Sequence, residues 1–257
     1  MKKFSIGADP ELFLVDATGA LISAIDRIGG SKEFPRHIPE LGRGFAVQED
    51  NVALEYNIPA SNSPEELSAN INKIMEFLSA QVGNMGLQFS KASAAVFPEK
   101  QLMHPMALEF GCDPDFNAWT GEVNPKPKAD DHRLRSCGGH VHIGAELDDV
   151  AATIRRCDLM LGVPSTLQDD GYLRKSLYGK RGAFRPKPYG AEYRTLSNYW
   201  IFDTKTTEWV FKNTRLAVES QHLKVEDDDK AIYDAIDNNN LEAAKWLVEK
   251  YNIPMAA

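Results

Sequence analysis

A chain of 257 residues, 43% hydrophobic and 26% charged, is long enough for one large core and has the composition of an ordinary globular protein. No apolar run is long enough for a membrane span, and MKKFSIGADPELF has two lysines but no apolar stretch behind them, so no secretory leader is expected. The formal charge of −8 argues against non-specific nucleic-acid binding as the main task, and three cysteines without a paired Cys-x-x-Cys (Cys112, Cys137, Cys157) fit a reducing cytosol.

In chain order, Phe4 to Val15 reads as a strand kinked at Gly7 and interrupted at Pro10. Asp16 to Gly19 is a turn, and ALISAI resumes an extended pattern. Gly29 to Gly44 is a loop rich in glycine, proline and charge. Phe45 to Ile58 reads as a hairpin or bulged strand around Glu49, Asp50 and Asn51. Ser63 with Glu66 three residues on is a capping box with Pro64 at the first helical position, and Leu67, Ile71, Ile74, Phe77 and Leu78 mark a helix face that runs to about Val82. Leu87 to Phe97 is extended, Glu109 to Trp119 is turn-rich and aromatic, and LRSCGGHVHIGA passes from loop into strand. A helix is expected from Asp148 to about Gly162, followed by a basic loop. Three more helices are expected, at about Thr206 to His222, Asp229 to Asp237 and Leu241 to Tyr251. Strand pairs separated by long helices give an α+β class with a largely antiparallel sheet.

The stretch Tyr172 to Trp200 reverses the sign of the chain. Arg174, Lys175, Lys180, Arg181, Arg185, Lys187 and Arg194 are basic, and between Arg174 and Arg194 the only acid is Glu192. Glycines and prolines break the stretch into a loop, and EYRTLSNYWI then reads as extended. Glu192 and Arg194 share a strand face, an arrangement that suits a polyphosphate beside a metal ion. The plain alternative is a solvated basic loop that pairs with acids elsewhere.

Three other motifs carry the same theme. Asp9 and Glu11 point the same way in an extended segment, and two carboxylates on one face repel unless a cation sits beside them. Alternatively, one of them faces solvent past the Pro10 bend. Glu55 stands among apolar neighbours, with Glu49 and Asp50 just upstream, and is either a buried carboxylate needing a partner or part of a solvent-facing alternation. In Gly138-Gly139-His140-Val141-His142 the two histidines face one side, and the glycines allow close backbone approach to a ligand. Two alternatives stand here: His142 as a hydrogen-bonded core histidine, and a zinc hydrolase site built from Cys137, His140 and His142. Carboxylates with one histidine and several arginines form a hard-ligand set that favours magnesium or manganese and suits phosphoryl transfer. No Walker-type phosphate loop and no Gly-x-Ser-x-Gly elbow is present.

Taken together, DPELFLV, DNVALEYNIPA, GGHVHIG, KRGAFR and EYR, in that order, resemble the glutamine synthetase-like carboxylate–amine ligases. The resemblance is closer to the glutamate–cysteine ligase and phage-type carboxylate–amine ligase branches. It implies a curved, largely antiparallel sheet with helices on its outer face, in a catalytic domain over residues 1–202, with residues 203–257 as a helical extension packed on it. It also implies two metal clusters: Asp9, His140 and Glu192 nearer the phosphates, and Glu11 and Glu55 with Asp50. ATP with Mg2+ or Mn2+ would be the cofactors, with Lys180, Arg181 and Arg185 on the phosphates. Arg181 would also act in catalysis with Arg194, which would contact the carboxylate or the transferred phosphate. The implied reaction is two-step: a carboxylate of an amino acid or peptide is activated as an acyl phosphate, and an amine then displaces phosphate.

The chain departs from the resemblance at Asp9, where many relatives carry glutamate, and at Asn198, where many carry aspartate. It shows no counterpart of the β-grasp domain, so a large ring is not implied and a monomer or small homo-oligomer is expected; the phage-type resemblance implies a host bacterial cytoplasm. Neither nucleic acid nor membrane is an expected partner. Composition alone suggests Asp113, Asp115 and Trp119 for an adenine or amine pocket. A guanidino or amine kinase and a catalytically inactive nucleotide-binding relative are the rivals on the same scaffold.

Overall fold

The computed structural model describes residues 3–108 and 114–256. Its strands are β1 (Ser5–Ala8), β2 (Glu11–Asp16), β3 (Leu21–Ile22), β4 (Arg36–His37), β5 (Ala46–Asp50), β6 (Ala53–Asn57), β7 (Leu87–Ser90), β8 (Ala94–Val96), β9 (Phe116–Asn117), β10 (Leu134–Ser136), β11 (Val141–Gly144), β12 (Ala183–Lys187) and β13 (Gly190–Tyr193). Its α-helices are α1 (Pro64–Gly83), α2 (Pro105–Leu108), α3 (Val150–Cys157), α4 (Val163–Gln168), α5 (Thr204–Glu219), α6 (Asp229–Asp237) and α7 (Leu241–Tyr251). The class is α+β. One sheet runs β1-β11-β13-β12-β9, a second runs β3-β2-β6-β5-β4 with β7 also on β2, and β8 and β10 form a ribbon. The pairings are antiparallel.

The first strand of the sequence reading is two strands. Proline has no N–H for a ladder, and at Asp9-Pro10 the chain steps from the first sheet into the second. The Pro10 carbonyl accepts from Tyr56 N at 3.2 Å on β6, and Glu11 N donates to Gly138 O at 2.9 Å in the segment leading to β11, so the step is held from both sides. This crossing places Asp9 on one sheet and Glu11 on the other.

Helix α1 covers the second sheet. Ser63 Oγ accepts from Glu66 N at 3.1 Å, as the capping box predicts. The Glu66 carboxylate reaches one residue further back than expected and accepts from Asn62 N at 2.7 Å. Leu67, Ile71, Ile74, Leu78 and Val82 are buried along one face, each stabilising by about 1.5–3 kcal/mol relative to exposure. Helix α5 packs against α1 and α3.

Elsewhere the elements differ from the sequence reading. ALISAI forms a strand only at Leu21–Ile22. The helix expected to end near Gly162 continues: Asp158–Gly162 is π-helical and leads into α4, which holds Pro164 in its first turn. A widened turn there tolerates a proline that would clash inside an α-helix. Half of the expected basic loop is a hairpin, β12–β13, and EYRTLSNYWI leaves the strand after Tyr193 to form a 3-10 turn at Asn198–Phe202. Among the described residues no helix is long and apolar enough to cross a membrane.

Candidate functional site

Register sets the first group of side chains. His142 pairs with Glu192 across β11 and β13, Glu192 pairs with Arg185 across β12, and cross-strand partners share a face. His140, just before β11, and Arg194, just after β13, continue that face by the period of two. His140 Nδ1 lies 3.3 Å from Asp9 Oδ1 and 3.8 Å from Glu192 Oε1, and His142 Nε2 lies 3.0 Å from Asp9 Oδ2. Asp9, His140 and Glu192 each offer a ligand atom within 4.8 Å of the others. Burial raises the Asp9 carboxyl, but His142 and His140 outweigh it and hold the group well below its ordinary range. Burial and the Arg194 charge pull His140 down to about 4, which favours the neutral imidazole that a metal ligand requires. Asp9 Oδ1 is buried without a hydrogen-bond partner. Two carboxylates and an imidazole around an orphaned oxygen fit a divalent ion.

Glu11 and Glu55 sit directly opposite on β2 and β6, and Gln48 on β5 faces Glu55 from the other side. Asp50, two residues beyond Gln48, joins the face, and Glu11, Asp50 and Glu55 come within 4.8 Å of one another. Burial and Asp50 push Glu11 up to about 7. Burial, with Asp9, Asp50 and Glu11 nearby, pushes Glu55 well above its ordinary value, and burial also raises Asp50. Like charges this crowded call for a cation, and this donor set fits one too. Glu49 does not join them. Its carboxylate turns to the opposite face and accepts from the backbone N–H groups of Asp26, Arg27, Ile28 and Gly29 at 2.7–3.1 Å.

Backbone packing holds these ligands in place. Gly138 N donates to Glu11 Oε2 at 2.7 Å, and Asn198 Nδ2 donates to the Glu11 carbonyl at 2.8 Å. A Cβ on Gly138 would collide with the His140 ring, and one on Gly139 with Ser197 O and the Trp200 indole. The two glycines allow close approach, as expected, but to the protein itself.

Both groups line one cavity of about 390 Å³, together with Lys32, His37, Gln48, Asn57, His142, Arg185, Lys187 and Arg194. The cations gather at Glu192. Arg194 Nη1 pairs with its Oε1, Arg185 Nη1 lies 3.5 Å from the same oxygen, and Lys187 Nζ lies 2.8 Å from Oε2. Burial would raise Glu192, but Arg194 and His140 bring it down to about 2. Asp115 lies 3.4 Å from Arg194 Nε.

Several expected placements are corrected. Gly179 and Gly182 hold positive φ, and the turn between them aims Lys180 and Arg181 away from the cavity. Arg181 pairs with Asp229, lies 4.6 Å over the Trp119 ring and 5.0 Å from that of Tyr233, and its backbone N–H donates to Asp237 Oδ2. Lys180 is exposed, and its carbonyl accepts from Thr195 Oγ1. Trp119, suggested for an adenine pocket, is covered by Arg181 and donates its Nε1–H to Asp158 Oδ2 at 2.6 Å; Cys112 and Asp113 lie outside the described residues. Cys137 packs in an apolar cluster with Phe13 and Phe97, and burial pushes its thiol well up, so it does not join the histidines in a zinc site. Lys187 and His142 are cavity residues that the site assignment passed over. Each stands two positions from an assigned residue on the same strand face, so the signal was present. Lys32 and His37 come from the glycine-rich loop and the short β4, where no periodicity marks them.

Residues 129–242 match one family model, Phage phiEco32-like COOH.NH2 ligase-type 2. This is a carboxylate–amine ligase family, and the matched segment carries GGHVHIG, KRGAFR and EYR, three of the five motifs that carry the resemblance; DPELFLV and DNVALEYNIPA precede it. The ligands from β2, β5 and β6 lie outside it. No curated protein matches. Among solved structures, one titled "Apo GmaS without ligand" is similar at 12% identity and a TM-score of 0.43, over 96% of this chain and 63% of that one. Another, titled "Crystal structure of novel glutamine synthase homolog", is similar at 11% identity and a TM-score of 0.40, over 96% and 66% respectively. The chain thus spans just under two thirds of the length of each.

Proposed function

We propose that the chain is an ATP-dependent carboxylate–amine ligase that forms an amide through an acyl phosphate. One observation carries this reading: carboxylates from two sheets and one histidine converge in a single cavity opposite Arg185, Lys187 and Arg194. Asp9, His140 and Glu192 would hold one divalent ion, and Glu11, Asp50 and Glu55 a second. Bound there, Mg2+ or Mn2+ would screen the triphosphate and the charge that develops on the transferred phosphoryl group.

The chain's own groups do the rest. Arg185 and Lys187, on one face of β12, take the phosphate oxygens in place of Lys180 and Arg181. Arg194, between Glu192 and Asp115, orients the substrate carboxylate and the transferred phosphate. A carboxylate oxygen attacks the γ-phosphorus and the bond to ADP breaks. The amine nitrogen then attacks the acyl carbon, phosphate leaves, and the nitrogen loses a proton. A neighbouring cavity of about 550 Å³ shares Lys187 and is lined by Gly144, Leu147, Val150, Tyr189 and Gly190. Its apolar floor and half-exposed Tyr189 support placing the nucleotide base there. The carboxylate would come from an amino acid or a peptide, in a cytoplasmic protein acting as a monomer or small homo-oligomer.

The test is ADP release from pairs of carboxylates and amines with Mg2+ or Mn2+, with the product weighed by mass spectrometry. Glu55→Gln and His140→Ala should each abolish release while the protein stays folded. Arg185→Ala should raise the KM for ATP by about tenfold or more, on the scale of a lost charge-assisted contact, and the KM for the amine far less. ADP formed without any carboxylate would point to a kinase, and nucleotide binding without ADP to an inactive relative.

A further inference from the structure

Tyr193 and Thr195 alternate with Glu192 and Arg194, so they leave the strand on the face away from the cavity. Both hydroxyls meet one buried carboxylate there. Tyr193 OH donates to Asp158 Oδ1 at 2.8 Å; Thr195 Oγ1 lies 3.3 Å from the same oxygen and 3.0 Å from Lys180 O, so its one proton is shared between the two acceptors. Trp119 Nε1 donates to Oδ2 at 2.6 Å. Asp158 is 0% exposed and takes no part in lining the cavity.

A buried carboxylate is costly without donors, and this one sits where the helix turns π, a feature frequent at functional sites. The same π turn ends at Gly162, where an added Cβ would stand 2.7 Å from Tyr193 OH. The helix is thus shaped to receive the tyrosine hydroxyl. On the backbone side, buried Arg174 donates to Thr195 O at 3.0 Å and to Arg194 O at 3.3 Å. The strand end that carries Arg194 is therefore gripped on its underside.

We infer that Asp158 is a positioning residue of the site: through Tyr193 and Thr195 it fixes the strand end that aims Arg194 at the substrate. The inference rests on the ligase reading, since it concerns turnover. Arg194 reaches two carboxylates at once, Glu192 Oε1 through Nη1 and Asp115 Oδ2 through Nε at 3.4 Å, and a shift of its backbone would disturb both contacts. Such displacements matter most to a group that must meet a reacting centre. The metal ligands have their own supports. Glu192 is held by Arg185 and Lys187 as well as by Arg194, and Asp9 by the two histidines.

The test compares the full chain with Asp158→Asn, Tyr193→Phe and the Tyr193→Phe/Thr195→Val pair. It reads kcat and KM for ADP release, Mn2+ affinity by electron paramagnetic resonance, and Tm. The expected result is a loss of about 10–100-fold in kcat for the pair, as for other supporting partners of a site, with Mn2+ affinity and the KM for ATP each within about threefold of wild type. Folded variants that turn over like wild type would overturn the inference. So would variants in which kcat, Mn2+ affinity and Tm fall together, because that marks general loosening. A wild type that releases no ADP from any pair defeats the ligase reading and this inference with it, whereas an active wild type beside unaffected variants defeats only this one.

Discussion

Adjacent carboxylates on β5 face opposite sides of the sheet, and each meets a different electrostatic setting. Glu49 collects four backbone N–H groups of the loop at Asp26–Gly29, of which Arg27 N also reaches Ala24 O. Glu49→Ala should destabilise the protein by on the order of 3 kcal/mol, read as a lower midpoint in urea at constant slope, because it strands several donors of a charged acceptor. Glu55, on the neighbouring strand β6, has Gln48 across from it on one side and stands directly opposite Glu11 on the other, with Asp50 beside them. Removing one charge from that group should act in the other direction. Glu55→Gln should raise the stability of metal-free protein by on the order of 1 kcal/mol, the scale of a like-charge cross-strand pair. The same change should abolish the further rise in Tm that Mn2+ gives wild type. A metal-free Glu55→Gln protein that melts below wild type would show that the carboxylates are held by partners rather than crowded by one another.

At the level of elements, α1 was legible because its start, its face and its length are local properties. Ser63, Pro64 and Glu66 mark the start, and the apolar spacing marks the buried side. Ser63→Ala should cost about 1 kcal/mol, the usual worth of an N-cap, while Glu66→Ala should cost less, because its partner is Asn62 N in a more exposed turn. Equal losses, measured by thermal unfolding, would mean that the two contacts act as one box after all. The hairpin β12–β13 was harder to read. Pro186, Pro188 and two glycines are loop signals, yet Pro186 is accommodated within the ladder beside Ala191. The cavity residues on its face were legible by type and by period, which places Arg185, Glu192 and Arg194 on one side and puts Lys187 within reach of the same rule. The aim of Lys180 and Arg181 was not legible, because the sense of a glycine turn depends on what it packs against, here Trp119 and α6. The pairing of Glu11 with Glu55 likewise depends on long-range register, which no window of sequence contains.

On the scale of the molecule, one apolar cluster of buried residues runs from Ile6 to Ile253 and takes in α1, α3, α5 and α7. The helices after Phe202 close that cluster from one side. Phe211 stacks edge-on against Phe4 with ring centres 5.4 Å apart, Arg156 Nε donates to Ala217 O at 2.7 Å, and Asn213 Nδ2 donates to Met160 O at 2.8 Å. Helix α6 also holds the turn at Arg181 through Asp229 and Asp237. Cutting after Phe202 would therefore expose the inner faces of α1 and α3 and leave the buried Arg156 guanidinium without its carbonyl, a loss larger than the whole margin of a typical domain. The expected outcome is that residues 1–202 alone bind a hydrophobic dye and melt without a cooperative transition, while the full chain melts in one step. A 1–202 fragment that unfolds cooperatively near the Tm of the full chain would show instead that the helical tail is a separable layer, and that the strands holding the carboxylates are stable without it.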